Sequence, residues 1–320
     1  MKDEINILFT SCGRRVELIK KFQEMYFCNN IKGKIHCGDL SDIAPAYHIS
    51  KYRVLLPPIM NNDYIPFILK YSIENNINII IPLLDTELPK LSAAKQEFSN
   101  NGVSIFISDE NIIEYGKNKV LTDIFFRQSN VLTPQIYSSI EHISDFPIIL
   151  KPKMGSASKG VFIINSEKDL HYHYGQNKDI LLQECIIGDE YTIDVWYGFT
   201  GKPRCIIPRK RIEVRSGEVS KGITIFDESI INDIMKIDYA NSGFVGCITY
   251  QCIKNKAGNN YFIEMNPRFG GGVPLSIAAG ANFPYAIILE YQKKTIPDDI
   301  FKWTRNYMML RYDQGVYIKR

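Results

Sequence analysis

A chain of 320 residues with 45% hydrophobic content can form two or three compact units. Its formal charge of +3 is small and no basic block is sustained, which argues against a nucleic-acid partner. Ile5 to Phe9 is too short an apolar run for a signal peptide or membrane span, and the seven cysteines form no C-x-x-C pair, so a cytoplasmic protein with reduced thiols is expected.

A strand over residues 5–9 and a helix over 14–27 begin an alternation. It continues through strands at Lys34–Cys37 and Arg53–Leu56, a helix at Tyr64–Asn75, a strand at Ile77–Pro82, a helix at Leu88–Asn100 and a strand at Val103–Ile107. Apolar strands alternating with helices predict a parallel, doubly wound α/β sheet over the first 108 residues. The first strand-to-helix turn, Thr10-Ser11-Cys12-Gly13-Arg14-Arg15, has one glycine where a dinucleotide fingerprint needs three, so a dehydrogenase is not expected. Open α/β sheets bind ligands at the carboxyl ends of their strands, which nominates Ser11, Gly13, Arg14, Asp39, Asp85 and Glu87 as contacts for a polar substrate. The same residues also suit helix caps and turns.

After Asp109 the pattern changes to a helix over Lys119–Gln128, a linker at Thr133-Pro134, and a strand over Ile148–Lys153 that ends in two lysines. Gly155 and Gly160 have the spacing of a P-loop, but Val161–Ile164 continues as a strand where a P-loop would open a helix. A loop of this kind, with Ser156 and Ser158, can instead fold over phosphates while Lys151 and Lys153 supply charge, or be an ordinary hairpin. A helix near Glu167–Tyr172 precedes a strand from Ile180, a linker around Glu184-Cys185-Ile186, and a second strand in which Glu190, Thr192 and Asp194 share a face. Acidic groups there suit an adenine amino group or ribose hydroxyls. In Pro208–Gly222, strict alternation puts Arg209, Arg211, Glu213 and Arg215 on one face, a positive surface suited to a carboxylate and a developing oxyanion.

The segment Phe262-Ile263-Glu264-Met265-Asn266-Pro267-Arg268-Phe269-Gly270-Gly271-Gly272 reads as a strand with Glu264 and Asn266 on one face and Ile263 and Met265 on the other. Gly246–Ile253 is its hairpin partner, and a turn symmetric about Ala257 and Gly258 sets Gln251 opposite Glu264, with Cβ atoms about 4.5–5.5 Å apart. Gln251, Glu264 and Asn266 make a set of hard oxygen donors for magnesium. Arg268 can fork onto a phosphate, and the glycines, Gly271 among them, let a ligand approach the backbone. The bland alternative is a solvated strand edge followed by a Gly-rich turn.

In order and spacing, Lys119, Lys151, the Gly155–Gly160 loop, the segment from Gln183 to Glu190, Gln251 and the Glu264–Arg268 segment resemble the ATP-grasp superfamily, and within it stand-alone proteins similar to half of a carbamoyl-phosphate synthase large chain. The resemblance implies a Rossmann-like pre-ATP-grasp domain (1–110) and a two-lobed ATP-grasp fold: a small lid subdomain (111–186) and a metal and substrate subdomain (187–320), α/β overall and α+β in the C-terminal part. It implies ATP and Mg2+, two ions with Mn2+ as a substitute. Lys119, Lys151, Lys153, Gly155, Ser156, Ser158 and Gly160 would hold phosphates, Glu184, Cys185 and Ile186 would meet the adenine, and Glu190 the ribose. Gln251, Glu264 and Asn266 would carry metal, Arg268, Arg211 and Arg209 would serve the chemistry, and Ser11, Gly13, Arg14, Asp85, Glu87, Arg215 and Gly271 the substrate. Many amide-forming relatives have a carboxylate where this chain has Gln251, which implies weaker metal affinity.

The implied activity is a carboxylate-amine or carboxylate-thiol ligase working through an acyl phosphate on small molecules, as a homodimer in several relatives, with no nucleic acid or membrane involved. A bicarbonate-using carboxylase or carbamoyl-type kinase and a catalytically silent ATP sensor are the competing readings. With no second ATP-grasp half or glutaminase in the sequence, carbamoyl phosphate production by this chain alone is not expected.

Overall fold

The computed structural model describes residues 4–155, 160–176, 179–199, 201–237 and 243–319. Five parallel strands, β1 (Ile7–Thr10), β2 (Ile35–Asp39), β3 (Tyr52–Leu55), β4 (Ile79–Pro82) and β5 (Ser104–Ile105), form a sheet of order β3-β2-β1-β4-β5. Alternate residues of β1 explain why it has no polar face: Ile7 and Phe9 pack with Leu18, Ile19 and Phe22 of α1 (Val16–Cys28). Leu8 packs on the other side among residues of α2 (Tyr64–Glu74), α3 (Leu88–Ala93) and α4 (Lys95–Asn100). The helix expected over 88–100 is thus two short helices meeting at Ala94. The chain reverses its direction of winding between β1 and β4, so the loops that follow these two strands flank the crevice of the sheet.

Helices α5 (Glu110–Lys117) and α6 (Lys119–Gln128) come next. Placed by the sequence in the middle unit, they pack instead with the last part of the chain: Ile112, Phe125 and Phe126 share a core with Tyr250, Phe262 and Met265. The small antiparallel sheet contains β6 (Ile136–Tyr137), β7 (Ile148–Pro152), β8 (Phe162–Ile164) and β9 (Ile180–Glu184) in the order β6-β9-β7-β8. Together with α7 (Glu167–Gln176) it closes a separate core of Ile148, Leu150, Ile164, Leu170 and Leu182. Ser156 and Ser158, expected to meet phosphates, lie outside the described residues.

The large antiparallel sheet has the order β14-β13-β10-β11-β12-β15. Its strands are β10 (Gly188–Gly198), β11 (Cys205–Arg215), β12 (Glu218–Thr224), β13 (Gly246–Asn255), β14 (Asn260–Asn266) and β15 (Met308–Leu310). It is accompanied by α8 (Glu228–Ile237), α9 (Val273–Ala278) and α10 (Phe283–Tyr291). Trp196 of β10 is sandwiched between Phe106 (5.5 Å) and Phe283 (5.4 Å), so the first sheet and the large sheet share one continuous core. Gly246, at φ +79°, permits that contact, since a Cβ there would stand 2.7 Å from the Phe106 ring. Among the described residues no helix is long and apolar enough to cross a membrane.

Candidate active site

A cleft of about 450 Å³ opens where the three sheets meet. The loops after β1 and β4 form one end, the small sheet forms a wall, and β10, β11, β13 and β14 form the floor.

On the floor, Gln251 pairs with Glu264 and Thr249 with Asn266. The expected Gln251–Glu264 opposition is therefore present, but by a different route. The outer pairs Lys254–Asn260, Ile253–Tyr261 and Cys252–Phe262 are symmetric about Ala257 alone, and a bulge at Ile263 restores the 251–264 register. The bulge also turns Ile263 into the cleft, while Met265 is fully buried in the core beneath, so these two do not share a face as strict alternation had predicted.

Asn266 Nδ2 donates to Glu264 Oε1 at 3.0 Å, and Gln251 Oε1 accepts from Arg211 Nη1 at 3.0 Å. Arg211 Nη1 also donates to Glu190 Oε1 at 2.5 Å and Nη2 to the Gly217 carbonyl at 3.1 Å, while the buried Nε has no hydrogen-bond partner among the described residues. Burial pushes the Glu190 carboxyl up; Arg211 opposes this and Glu264 adds to it. One carboxylate and two amide oxygens on adjacent strands, with a second carboxylate repelled by the first, are a donor set that suits a hard divalent cation.

Two ammonium groups face this corner. Lys119 Nζ donates to the Gly155 carbonyl at 2.8 Å. The ammonium of Lys151, a residue only 8% exposed, makes no hydrogen bond or ion pair among the described residues. Burial first, then the charge of Lys119, pushes Lys151 down to about 8, against the pull of Glu264 and Asp123. Burial likewise lowers Lys119. A buried and a half-buried ammonium, neither ion-paired with a described carboxylate, are suited to a polyphosphate. Lys153 does not join it: it lies exposed past the end of β7, where its backbone bonds Asp179 and Lys119, and it does not line the cleft. Gly155 lines the cleft and Gly160 does not. Glu184, Cys185 and Ile186 form part of the wall, with Glu184 Oε2 accepting from the Gln135 amide at 3.1 Å.

The arginines of β11 divide. Arg209, 1% exposed, forks onto Asp194 at 2.8 and 2.9 Å, and Asp194 also accepts from Thr249 (3.0 Å) and Ser276 (2.6 Å). Expected to serve the chemistry, it is bound into a network that ties β10, β11, β13 and α9 together, with its Nη1 edge against Gly272. Register shifts between Arg211 and Val214 end the alternation, so Val214 lines the cleft. Arg215 is exposed and pairs with Glu213 at 3.0 Å, which removes it from the expected substrate set.

At the end of the cleft, Asp85 accepts from Arg268 Nε (3.0 Å) and Nη2 (2.7 Å), a pair that joins the first sheet's loop to the segment after β14. Nη2 also reaches Asn266 Oδ1 at 3.1 Å. Glu87, expected at the substrate, is instead fully buried and braces the loops: it accepts from Ser11 Oγ (2.9 Å), Tyr64 OH (2.5 Å) and the Leu83 and Leu84 amides (2.9 and 3.1 Å). Ser11 is spent on this brace, and the Gly13 amide donates to Asp39 Oδ2 at 2.7 Å. Neither Ser11 nor Gly13 lines the cleft. Arg14 is exposed and outside it; the arginine that lines it is Arg15, which sequence reasoning missed. Glu218 and Thr249 line it too, as does Gly271. The Arg14-Arg15 doublet carried the signal, but positive φ at Ser11 (+49°) and Gly13 (+48°) sets which of the two turns inward.

Two family models match the chain: "PylC-like, N-terminal domain" over residues 7–106 and "ATP-grasp in the biosynthetic pathway with Ter operon" over 176–313. A D-alanine–D-alanine ligase of Fusobacterium nucleatum is 26% identical over 146 residues, 42% of this chain and 50% of the relative. A carbamoyl-phosphate synthase of Methanobrevibacter smithii is 23% identical over 140 residues, 41% of this chain and 38% of the relative. The matches thus span half or less of these curated relatives. Among solved structures, a carboxyaminoimidazole ribonucleotide synthase of Aspergillus clavatus complexed with ATP superposes with a TM-score of 0.74 at 14% identity, covering 97% of this chain and 82% of that one.

Proposed function

We propose that the chain, matched over residues 176–313 by an ATP-grasp family model, is a magnesium-dependent ligase that activates a small carboxylate with ATP and joins it to an amine. The observation that carries this reading is the convergence, in one cleft, of Lys119 and Lys151 with Gln251, Glu264, Asn266 and Arg268. Lys119 and Lys151 hold the phosphates, and the wall at Glu184, Cys185 and Ile186 receives the base. Glu264, Asn266 and Gln251 hold Mg2+, which when bound neutralises charge on the phosphates. Phosphoryl transfer asks for positioning and charge neutralisation more than covalent help, and this chain's cations supply both. Arg268, oriented by its fork to Asp85, meets the transferred phosphoryl group. The substrate carboxylate attacks the γ-phosphate to give an acyl phosphate and ADP, and the amine then displaces phosphate. Arg211 braces Glu190 and Gln251 and so aligns the floor for this step.

The test is ADP and phosphate release across a matrix of carboxylates and amines, with mass detection of condensed product. ADP release that requires magnesium, one acid and one amine supports the ligase. Release driven by bicarbonate alone moves the reading to a carboxylase, and MgATP binding without turnover on any pair moves it to a sensor.

A further inference from the structure

At the end of the cleft away from the lysines, Arg15 and Glu218 lie on either side of Gly271. Their closest approach is 3.7 Å, too long for a hydrogen bond, and neither side chain makes a hydrogen bond to any described residue. Glu218's other ionic neighbour, Arg311, is 3.5 Å away and already donates to the carbonyls of Val219 (3.0 Å) and Gly271 (2.8 Å). Arg15 is 18% exposed, and its neighbour Arg268 is committed to Asp85. Burial and then the charge of Arg268 push the Arg15 guanidinium down to about 10. Glu218 and Asp85 oppose that shift, yet neither hydrogen-bonds the Arg15 guanidinium.

Bare backbone at Gly271 is what lets the two charged groups come this close. A Cβ on Gly271 would stand 2.6 Å from Arg15 Nη1 and 3.1 Å from the Glu218 carboxyl carbon. A guanidinium and a carboxylate just beyond contact, around a bare backbone, complement a ligand that carries a carboxylate and an ammonium close together. A dianion would meet Glu218, and a simple cation would meet Arg15 and Arg268.

We propose that the carboxylate activated in this cleft is that of an amino acid, held between Arg15 and Arg268 with its ammonium on Glu218. The assignment rests on the ligase reading and makes the β1–α1 loop of the first domain a selector of substrate. Arg15 fixes the carboxylate beside Arg268, and Glu218 distinguishes amino acids from plain acids.

The experiment measures ADP release from MgATP over L- and D-amino acids, each against its deamino acid (alanine against propionate), with hydroxylamine as acceptor. At least one amino acid should act with a KM about tenfold or more below that of its deamino acid, as expected for one charge-assisted hydrogen bond. Arg15→Gln should raise that KM about tenfold and leave the KM for MgATP within about twofold. Arg15→Lys, which keeps the charge and loses the fork, should fall between. Glu218→Gln should erase the preference over the deamino acid. Equal action of amino and deamino acids, or an unchanged amino-acid KM in Arg15→Gln, overturns the proposal. If a deamino acid acts and no amino acid does, the amino-acid assignment falls and the ligase reading stands; if calorimetry shows MgATP bound but no acid acts, or MgATP does not bind, both fall.

Discussion

Replacing Lys151 with methionine should make the ligand-free protein more stable and, at the same time, weaken its grip on MgATP. The side chain is 8% exposed and its ammonium is held at about 8 against an ordinary 10.5. At about 1.4 kcal/mol per tenfold change in proton affinity, keeping it charged at neutral pH costs about 3 kcal/mol. The unfolded chain binds this proton more tightly than the folded one. Stability therefore carries the full cost below pH 8 and recovers as pH rises from about 8 toward 10.5. Wild-type protein should gain about 2 kcal/mol from this group between pH 7 and pH 9.5, and Lys151→Met should lack that gain because it starts without the cost. Urea unfolding at the two pH values reads both effects. Methionine has a comparable apolar reach, so no large cavity confounds the comparison. MgATP affinity, by calorimetry at pH 7, should fall about 10- to 100-fold with the loss of a charged donor to phosphate. A variant less stable than wild type at pH 7, or one with the same pH slope, would refute the account of Lys151 as a strained cation awaiting an anion.

Three further outcomes are expected. Asp194→Leu strands Arg209 and should cost about 3–5 kcal/mol in urea unfolding, and Arg209→Met in the same chain should recover about 2 kcal/mol of it; strictly additive effects would mean the fork is not the stabilising unit. Gly272→Ala brings a methyl to 2.2 Å from Arg209 Nη1 and 2.8 Å from Val219 Cγ1, so it should destabilise by about 1–3 kcal/mol, and a neutral result would show that this corner yields. Glu264→Ala removes the carboxylate of the proposed metal set and should abolish magnesium-dependent ADP release while magnesium-free binding of a fluorescent ATP analogue persists; ADP release at the wild-type rate would discard the assignment.

What could be read from the chain divides along a physical line. The parallel sheet was legible because β1, β2 and β4 are unbroken buried runs, and a strand covered on both faces leaves that trace. The Gln251–Glu264 opposition was legible too, yet its derivation assumed a regular ladder, whereas the bulge at Ile263 supplies the register. Bulges have no compositional signature: the irregularity in β11 took Arg215 out of the cleft unseen, and the one in β14 put Ile263 into it. Glu87 was misplaced because burial by Tyr64 and the Leu83–Leu84 amides is a tertiary fact that a loop sequence does not carry. The helix over Lys119–Gln128 was legible, but which sheet it covers was not, because that packing is a tertiary fact.

The small sheet hangs from the rest of the protein by a strap whose two runs are sewn together. Outgoing residues near Pro134-Gln135 meet returning residues near Gln183-Glu184 through the Gln135 and Glu184 backbones (2.8 Å), the Gln135 amide to Glu184 Oε2 (3.1 Å), and Gln183 Nε2 to the Pro134 carbonyl (3.4 Å). A second stitch, the Asn118–Met154 bridge with Lys119 bonded to the Lys153 carbonyl (3.0 Å), holds the far margin. Because this sheet keeps its own apolar core, pivoting on the strap leaves that core intact and asks chiefly that the stitch give way. Pro134, Gln183, Glu184, Cys185 and Ile186 are at once the strap and the wall of the cleft, so whatever lodges against them leans on the axle itself.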